Sequence, residues 1–274
     1  MALPELKTVD IGTGVISYRE KSSGPALVFV HGLGGRSGAW ATQYEDFSGR
    51  HRVIGWDAPG YGESSDPATE SPVIADYVDA LARFIDALGI ERMHLVGHSV
   101  GTVMATAYHK RYPDRLLSLT LAEAVTGSGM KDMEIQEKLV HDREELLDRI
   151  GPEEFARSRT PNSVSPSAAP EVVARAVANA MQMQVPGYKR AHRALVSANI
   201  FDEIVPLRVP ALIVAGSDDK SAPPEMVRSI ADAMAGIRHE IIPDIGHQIF
   251  FEHPERFNGI LADFLTGAAE QAAA

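Results

Sequence analysis

Three features of this 274-residue chain predict an α/β fold: a mostly parallel sheet flanked by helices, with a helical insertion. Short continuous apolar runs, of the kind needed for strands buried on both faces, alternate with helical patterns over most of the length. One such run leads directly into the pentapeptide Gly97-His98-Ser99-Val100-Gly101, which opens a helix. Between about 126 and 199 the alternation stops and only helical patterns remain.

The elements follow in order. An opening hairpin is expected where Ile16-Ser17-Tyr18 follows Gly12-Thr13-Gly14. The runs Ala26–Val30, Val53–Trp56, Met93–Val96, Leu116–Leu121 and Ala211–Ala215 are fully apolar or nearly so, and His239–Ile242 is a shorter last strand. The clearest helix has Ser71 as N-cap, Pro72 at its first position, Ile74, Val78, Leu81, Ile85 and Leu88 on one face, and Gly89 as its stop. Val103, Met104, Ala107 and Tyr108 share a face of the helix after Ser99. The insertion is broken by Gly151-Pro152, by Pro161 to Pro170 and by Pro186-Gly187. It holds ten basic and ten acidic residues, so the acidic excess lies elsewhere. The chain therefore divides into a core of 1–125 with 200–274 and a lid of 126–199. The end, from Gly267 to Ala274, is expected to fray.

Composition narrows the function. No cysteine is present, which removes disulfides, thiolate metal sites and cysteine nucleophiles together. The net charge of −11 disfavours a polyanionic partner such as nucleic acid. No apolar stretch approaches a membrane span, and the residues from Met1 to Leu6 show no secretory pattern. A cytoplasmic location is expected. With no Gly-rich nucleotide fingerprint and no metal-ligand cluster in view, no cofactor and no metal are expected.

The chemistry is concentrated at Ser99. A serine between a buried strand and a helix projects its hydroxyl above the sheet edge only if its backbone is strained. Side chains two positions before and after would collide there, and both are glycine. The helix directs its free N–H groups, that of Val100 included, at an anion forming beside Ser99. The segment His31-Gly32-Leu33-Gly34-Gly35 ends the Ala26–Val30 strand, and Leu33 N–H pairs with Val100 N–H as the second oxyanion donor. Taken alone, it reads better as a plain Gly-rich turn.

His31-Gly32 after the first long strand, Asp57-Ala58-Pro59-Gly60-Tyr61-Gly62-Glu63-Ser64 after the second, and the serine turn after the third resemble the α/β-hydrolase superfamily. The likeness runs from about Val15 to Phe264. It implies an eight-stranded, mostly parallel sheet with a lid inserted after the sixth strand. It also implies that the Asp57 to Ser64 turn is structural.

Serine needs a base. Among ten histidines, His247 has the best setting, since it follows the last strand and precedes a helix carrying Phe250, Phe251 and Phe257. His31 and His98 belong to turns, while His239 lies in a strand and His253 in a helix. The family's order of serine, acid and histidine points to His247. Its members place the acid three residues after a glycine and four before a proline, which is Asp219 between Gly216 and Pro223. Asp218 is the nearest rival. Glu123 closes the preceding strand, where some relatives carry their acid.

Haloalkane dehalogenases and epoxide hydrolases of this superfamily carry aspartate where Ser99 stands, so their chemistries are disfavoured. The resemblance to 3-oxoadipate enol-lactonases, carboxylesterases and meta-cleavage product hydrolases implies hydrolysis of a small ester or lactone through an acyl-enzyme. Carbon–carbon cleavage is the alternative. It is weakened by Gln248, where that group has tryptophan after the histidine, and by an oxyanion loop lacking its serine and proline. A ligand sensor and a cofactor-free oxygenase or perhydrolase remain as readings on the same fold. For the pocket, Met130, Met133, Met181 and Met183 are candidates to line an apolar cavity, and Arg157, Arg159 and Arg193 to hold a carboxylate. Packed helix faces and solvated surface are the competing readings for each.

Overall fold

The computed structural model describes residues 2–273. Met1 and Ala274, the outermost residues of the two terminal expectations, lie outside them. The strands are β1 (Leu6–Asp10), β2 (Val15–Lys21), β3 (Ala26–Val30), β4 (Arg52–Trp56), β5 (Met93–His98), β6 (Leu116–Ala122), β7 (Ala211–Gly216) and β8 (Arg238–Ile242). They form one sheet in the order β1-β2-β4-β3-β5-β6-β7-β8. The β1–β2 and β2–β4 pairs are antiparallel and the rest parallel.

Every residue of β3, β5 and β7 is buried, which explains their unbroken apolar runs: helices cover both faces. One face carries α2 (Ile74–Ala87), α3 (Val100–Arg111) and α7 (Pro224–Ala233). The other carries α1 (Ala41–Phe47), α8 (Ile249–Glu252) and α9 (Pro254–Ala273). The first strand of the hairpin, β1, has only half-buried and exposed residues at a sheet edge, so its sequence shows no apolar run.

Several boundaries differ from expectation. Helix α2 begins at Ile74, two residues after Pro72, because the Asp76 carboxylate accepts from Val73 N–H at 2.8 Å and so caps the helix at Val73, not Ser71. Helix α3 is buried from Val100 to His109 on all sides, not along one face. The last stretch, expected to fray from Gly267, continues α9 to Ala273, with Ala268 buried. His253 marks the break between α8 and α9 rather than a helix interior.

Between β6 and β7 the chain runs through α4 (Met133–Arg159), α5 (Pro170–Ala180) and α6 (Val185–Ser197). Gly151, at φ 77°, breaks α4 ahead of Pro152. Pro186 and Gly187 do not separate helices; they form the first turn of α6, where proline's missing N–H costs nothing. Helix α6 sits against the turn after β4. A Cβ on Gly187 would lie 1.9 Å from the Gly60 carbonyl oxygen, so only glycine permits this approach. Gln184 Nε2 donates to Gly62 O at 2.6 Å, and Arg190 pairs with Asp66 at 2.7 Å. No helix among the described residues is long and apolar enough to cross a membrane.

Candidate active site

Ser99 occupies the junction of β5 and α3 with φ 53° and ψ −120°, a conformation that L residues avoid. Its neighbours explain how the strain is held. A Cβ on Gly97 would lie 2.3 Å from Gly101 O, and one on Gly101 would lie 2.5 Å from Val30 O. Both glycines are thus required by backbone packed against backbone.

The loop after β3 closes over this turn. A Cβ on Gly32 would approach Ser99 Cβ to 2.9 Å, so the glycine lets the two segments touch. His31 is structural: its Nδ1–H donates to Gly32 O at 2.8 Å and its Nε2 accepts from Ala58 N–H at 3.1 Å. Burial lowers its basicity, which preserves that neutral tautomer. Among the described residues, neither Leu33 N–H nor Val100 N–H has a protein acceptor, and Leu33 lies beside Ser99 in the cavity lining while Val100 does not.

His247 lies in the loop between β8 and α8. Its Nε2 is 2.9 Å from Ser99 Oγ and its Nδ1 is 2.6 Å from Asp219 Oδ2. Residues 99, 219 and 247, spread across the chain, therefore meet at the C-terminal edge of the parallel sheet, and all three are buried. The other Asp219 oxygen accepts from Ser221 N–H at 2.7 Å and Ala222 N–H at 2.8 Å. Burial alone would raise the Asp219 carboxyl, but His247 and these donors outweigh it and hold it below its ordinary value.

The rival acids are accounted for. Asp218 turns away and accepts from the hydroxyls of Ser165, at 2.6 Å, and Ser217, at 3.1 Å. Asp57, buried beneath the turn after β4, accepts from Ser17 Oγ at 2.7 Å and Ser37 N–H at 2.6 Å. Glu123 is fully buried, with φ 55°, and its Oε2 lies 2.7 Å from His98 Nε2. Burial raises the Glu123 carboxyl well above the usual range and pushes the His98 imidazole down to about 4. Glu123 Oε1 accepts from Ile249 N–H at 2.8 Å, and His98 Nε2 also reaches His247 O at 3.0 Å. The pair thus props the loop that carries His247, a role that sequence spacing alone does not reveal.

His98, Glu123 and His247 offer ligand atoms within 4.8 Å of one another, close enough to hold a metal. Both nitrogens of His247 are already engaged, however, and the remaining contacts join the three residues to each other. Glu123 Oε2, although 2.7 Å from His98 Nε2, makes no hydrogen bond of good geometry.

A cavity of about 620 Å³ opens above Ser99, lined by the loop after β3, by His247 and by residues from α4, α5 and α6. Of the sequence candidates for its wall, Met183 and Arg159 line it. Met130 and Met133 are exposed, at 69% and 74%, and do not. Met181 and Arg157 are not among its lining residues, and Arg193 is held outside by a two-pronged contact with Glu144, at 2.6 and 2.7 Å.

With that geometry in place, comparison with known proteins is informative. A family model described as alpha/beta hydrolase fold matches residues 25–254. RutD of Caulobacter sp. strain K31, named for carbamate hydrolysis, is 29% identical over 262 residues, covering 92% of this chain and 96% of that protein. A 2-hydroxy-6-oxononadienedioate/2-hydroxy-6-oxononatrienedioate hydrolase of Paraburkholderia phymatum is 28% identical, covering 91% of this chain and 90% of its own. Among solved structures, the enol-lactonase of Burkholderia xenovorans LB400 superposes with a TM-score of 0.84 at 25% identity, covering 96% of this chain and 100% of that one.

Proposed function

The chain belongs to the alpha/beta hydrolase fold family, and from that membership we propose that it is a serine hydrolase cleaving a small carboxylic ester or lactone through an acyl-enzyme. The observation that carries this reading is the 2.9 Å contact of His247 Nε2 with Ser99 Oγ, on a serine held at positive φ. In the proposed cycle, Ser99 Oγ attacks the carbonyl carbon as His247 takes its proton. The N–H groups of Leu33 and Val100 hold the oxyanion. His247 then protonates the leaving oxygen, and water, activated by the same imidazole, releases the acid. Asp219 keeps the imidazole in the tautomer that presents a lone pair to Ser99 and stabilises the cation that forms, without taking the proton.

In this reading, residues 126–199 are the lid that shapes the substrate cavity, and 1–125 with 200–274 form the catalytic core. The likeness to the enol-lactonase supports the lactone branch. The likeness to the dienedioate hydrolase supports a second reading, hydrolysis of a carbon–carbon bond beside a ketone, and that to RutD extends the acyl chemistry to carbamates. A panel of short-chain esters, an enol-lactone, a carbamate and a dienoate ketone, assayed with wild type and Ser99→Ala, tests the proposal. Ester or lactone turnover that disappears in Ser99→Ala is expected. Turnover of the dienoate ketone alone would replace it with the second reading, and oxygen uptake or a lack of any Ser99-dependent turnover would reject both.

A further inference from the structure

The lining of the cavity above Ser99 has an unbalanced charge. Lys131, Arg143, Arg159 and Lys220 line it, and among the described residues no aspartate or glutamate does. This occurs in a chain whose net charge is −11. Several other cations of α4 and α6 are paired, Lys138 with Asp142, Lys189 with Asp148, Arg190 with Asp66 and Arg193 with Glu144, while Arg149 and Arg157 are exposed and do not line the cavity. Arg143 and Arg159 have no carboxylate partner among the described residues.

Their positions are nevertheless defined. Arg143 lies one turn after Leu139 and one turn before the buried Leu147, so it takes an inward place on α4 that periodicity would give to an apolar residue. Its Nη1 donates to the Tyr188 hydroxyl at 3.0 Å. The Tyr188 ring is held edge-on by Phe155, with centroids 5.7 Å apart, and stacks on His192 at an interplanar angle of 11°. The Arg159 guanidinium sits 5.6 Å from the Phe155 ring. Two guanidinium groups are thus mounted on one aromatic ladder that faces the cavity. The neighbourhood registers their charge. His192 is pushed down to about 3, first by burial and then by Arg143, Arg159 and Arg193. Arg159 is itself lowered, by burial and by Arg143.

Arg143 is half-buried and Arg159 exposed; like charges gathered there without a counter-ion repel each other, and an oxyanion relieves that cost. Guanidinium geometry favours a carboxylate, which it can grip through two parallel hydrogen bonds. We propose that Arg143 and Arg159 form a carboxylate-binding subsite, so that the compound hydrolysed at Ser99 is an acid as well as an ester or lactone. The turnover part of this inference rests on the acyl-transfer reading; the binding part does not.

Two substrate pairs test it and show on which side the carboxylate lies: mono-p-nitrophenyl glutarate against p-nitrophenyl pentanoate, and 4-acetoxybenzoate against phenyl acetate. Wild type is expected to prefer the charged member of at least one pair by about tenfold or more in kcat/KM, the scale of a hydrogen-bonded charge pair. Arg159→Gln and Arg143→Gln should each cut that ratio about tenfold, and Arg159→Glu should reverse it. Ratios near unity in wild type, or unaltered in all three variants, overturn the subsite. Calorimetric titration of Ser99→Ala with glutarate and with 4-hydroxybenzoate separates this from the hydrolase reading. Binding that weakens about tenfold when Arg159→Gln is added supports the subsite even if no ester is turned over. Failure of both acids to bind overturns it even if neutral esters are cleaved.

Discussion

The strand-to-helix crossover bearing Ser99 and the insertion above it are built on opposite principles. From Met93 to His109 every residue is buried, and the backbone is confined by backbone at Gly97 and Gly101. In α4, only Leu147, Phe155 and Ala156 are buried among 27 residues, and position is kept by ion pairs and a few aromatic contacts. Geometry that must hold to a fraction of an ångström is placed where packing over-determines it, whereas most positions of α4 lie where substitution is cheap.

The sharpest way to break this contrast is at its centre. Ser99→Ala should lower turnover by about 10⁴- to 10⁶-fold while circular dichroism and melting temperature stay near wild type. Substantial residual activity would move the chemistry away from the crossover. Asp219→Asn should cost about 10³- to 10⁴-fold by presenting the wrong imidazole tautomer, whereas Asp218→Asn, bonded to Ser165 and Ser217, should cost less than about tenfold. Equal losses at both positions in steady-state kinetics would contradict the assignment of the acid. In stability, Gly97→Ala should cost about 1–3 kcal/mol or more, since its methyl meets the Gly101 carbonyl. Met133→Gln, on an exposed position of α4, should stay within about 0.5 kcal/mol, and urea melts that fail to separate the two would blur the distinction between the regions.

The smallest expected effect is a pH dependence. Asp219 is held below its ordinary value in the folded chain, so its ionised form contributes stability that is fully present above the unfolded carboxylate's pKa and is lost as pH falls through the folded one. Asp219→Asn should flatten the acid side of the stability profile. An acid limb identical to wild type would show that the carboxylate gains nothing from His247 and its amide donors.

Much of this was legible before any coordinates. Ala26–Val30 is β3 to the residue, and the other buried strands extend their apolar runs by one or two positions, because burial on both faces leaves no alternation to blur. Ser99 was legible from local context, a glycine-flanked turn, and His247 from its place after the last strand together with the family's order of serine, acid and histidine. Choosing Asp219 over Asp218 required a family spacing, since neighbouring aspartates differ only in where the backbone points them. The part played by Glu123 was hidden because its partner, Ile249 N–H, lies 126 residues away. Arg193 was misleading for the same kind of reason: Glu144, 49 residues earlier, holds it away from the cavity. Contacts set by the meeting of distant segments leave no periodic trace in either segment.

The close approach of Gly60 and Gly187 carries one more implication. Gly187 directly precedes Tyr188, whose hydroxyl receives the Arg143 guanidinium, so the spacing between two main chains sets the reach of a cation that lies on a third segment. A methyl group added at 187 would be registered twice: as a shoulder lifted off the turn after β4, and as a shift of electrical potential at the far wall of the chamber. If Arg143 reads a substrate carboxylate as proposed, drift at either glycine alters selectivity although neither residue lines the chamber.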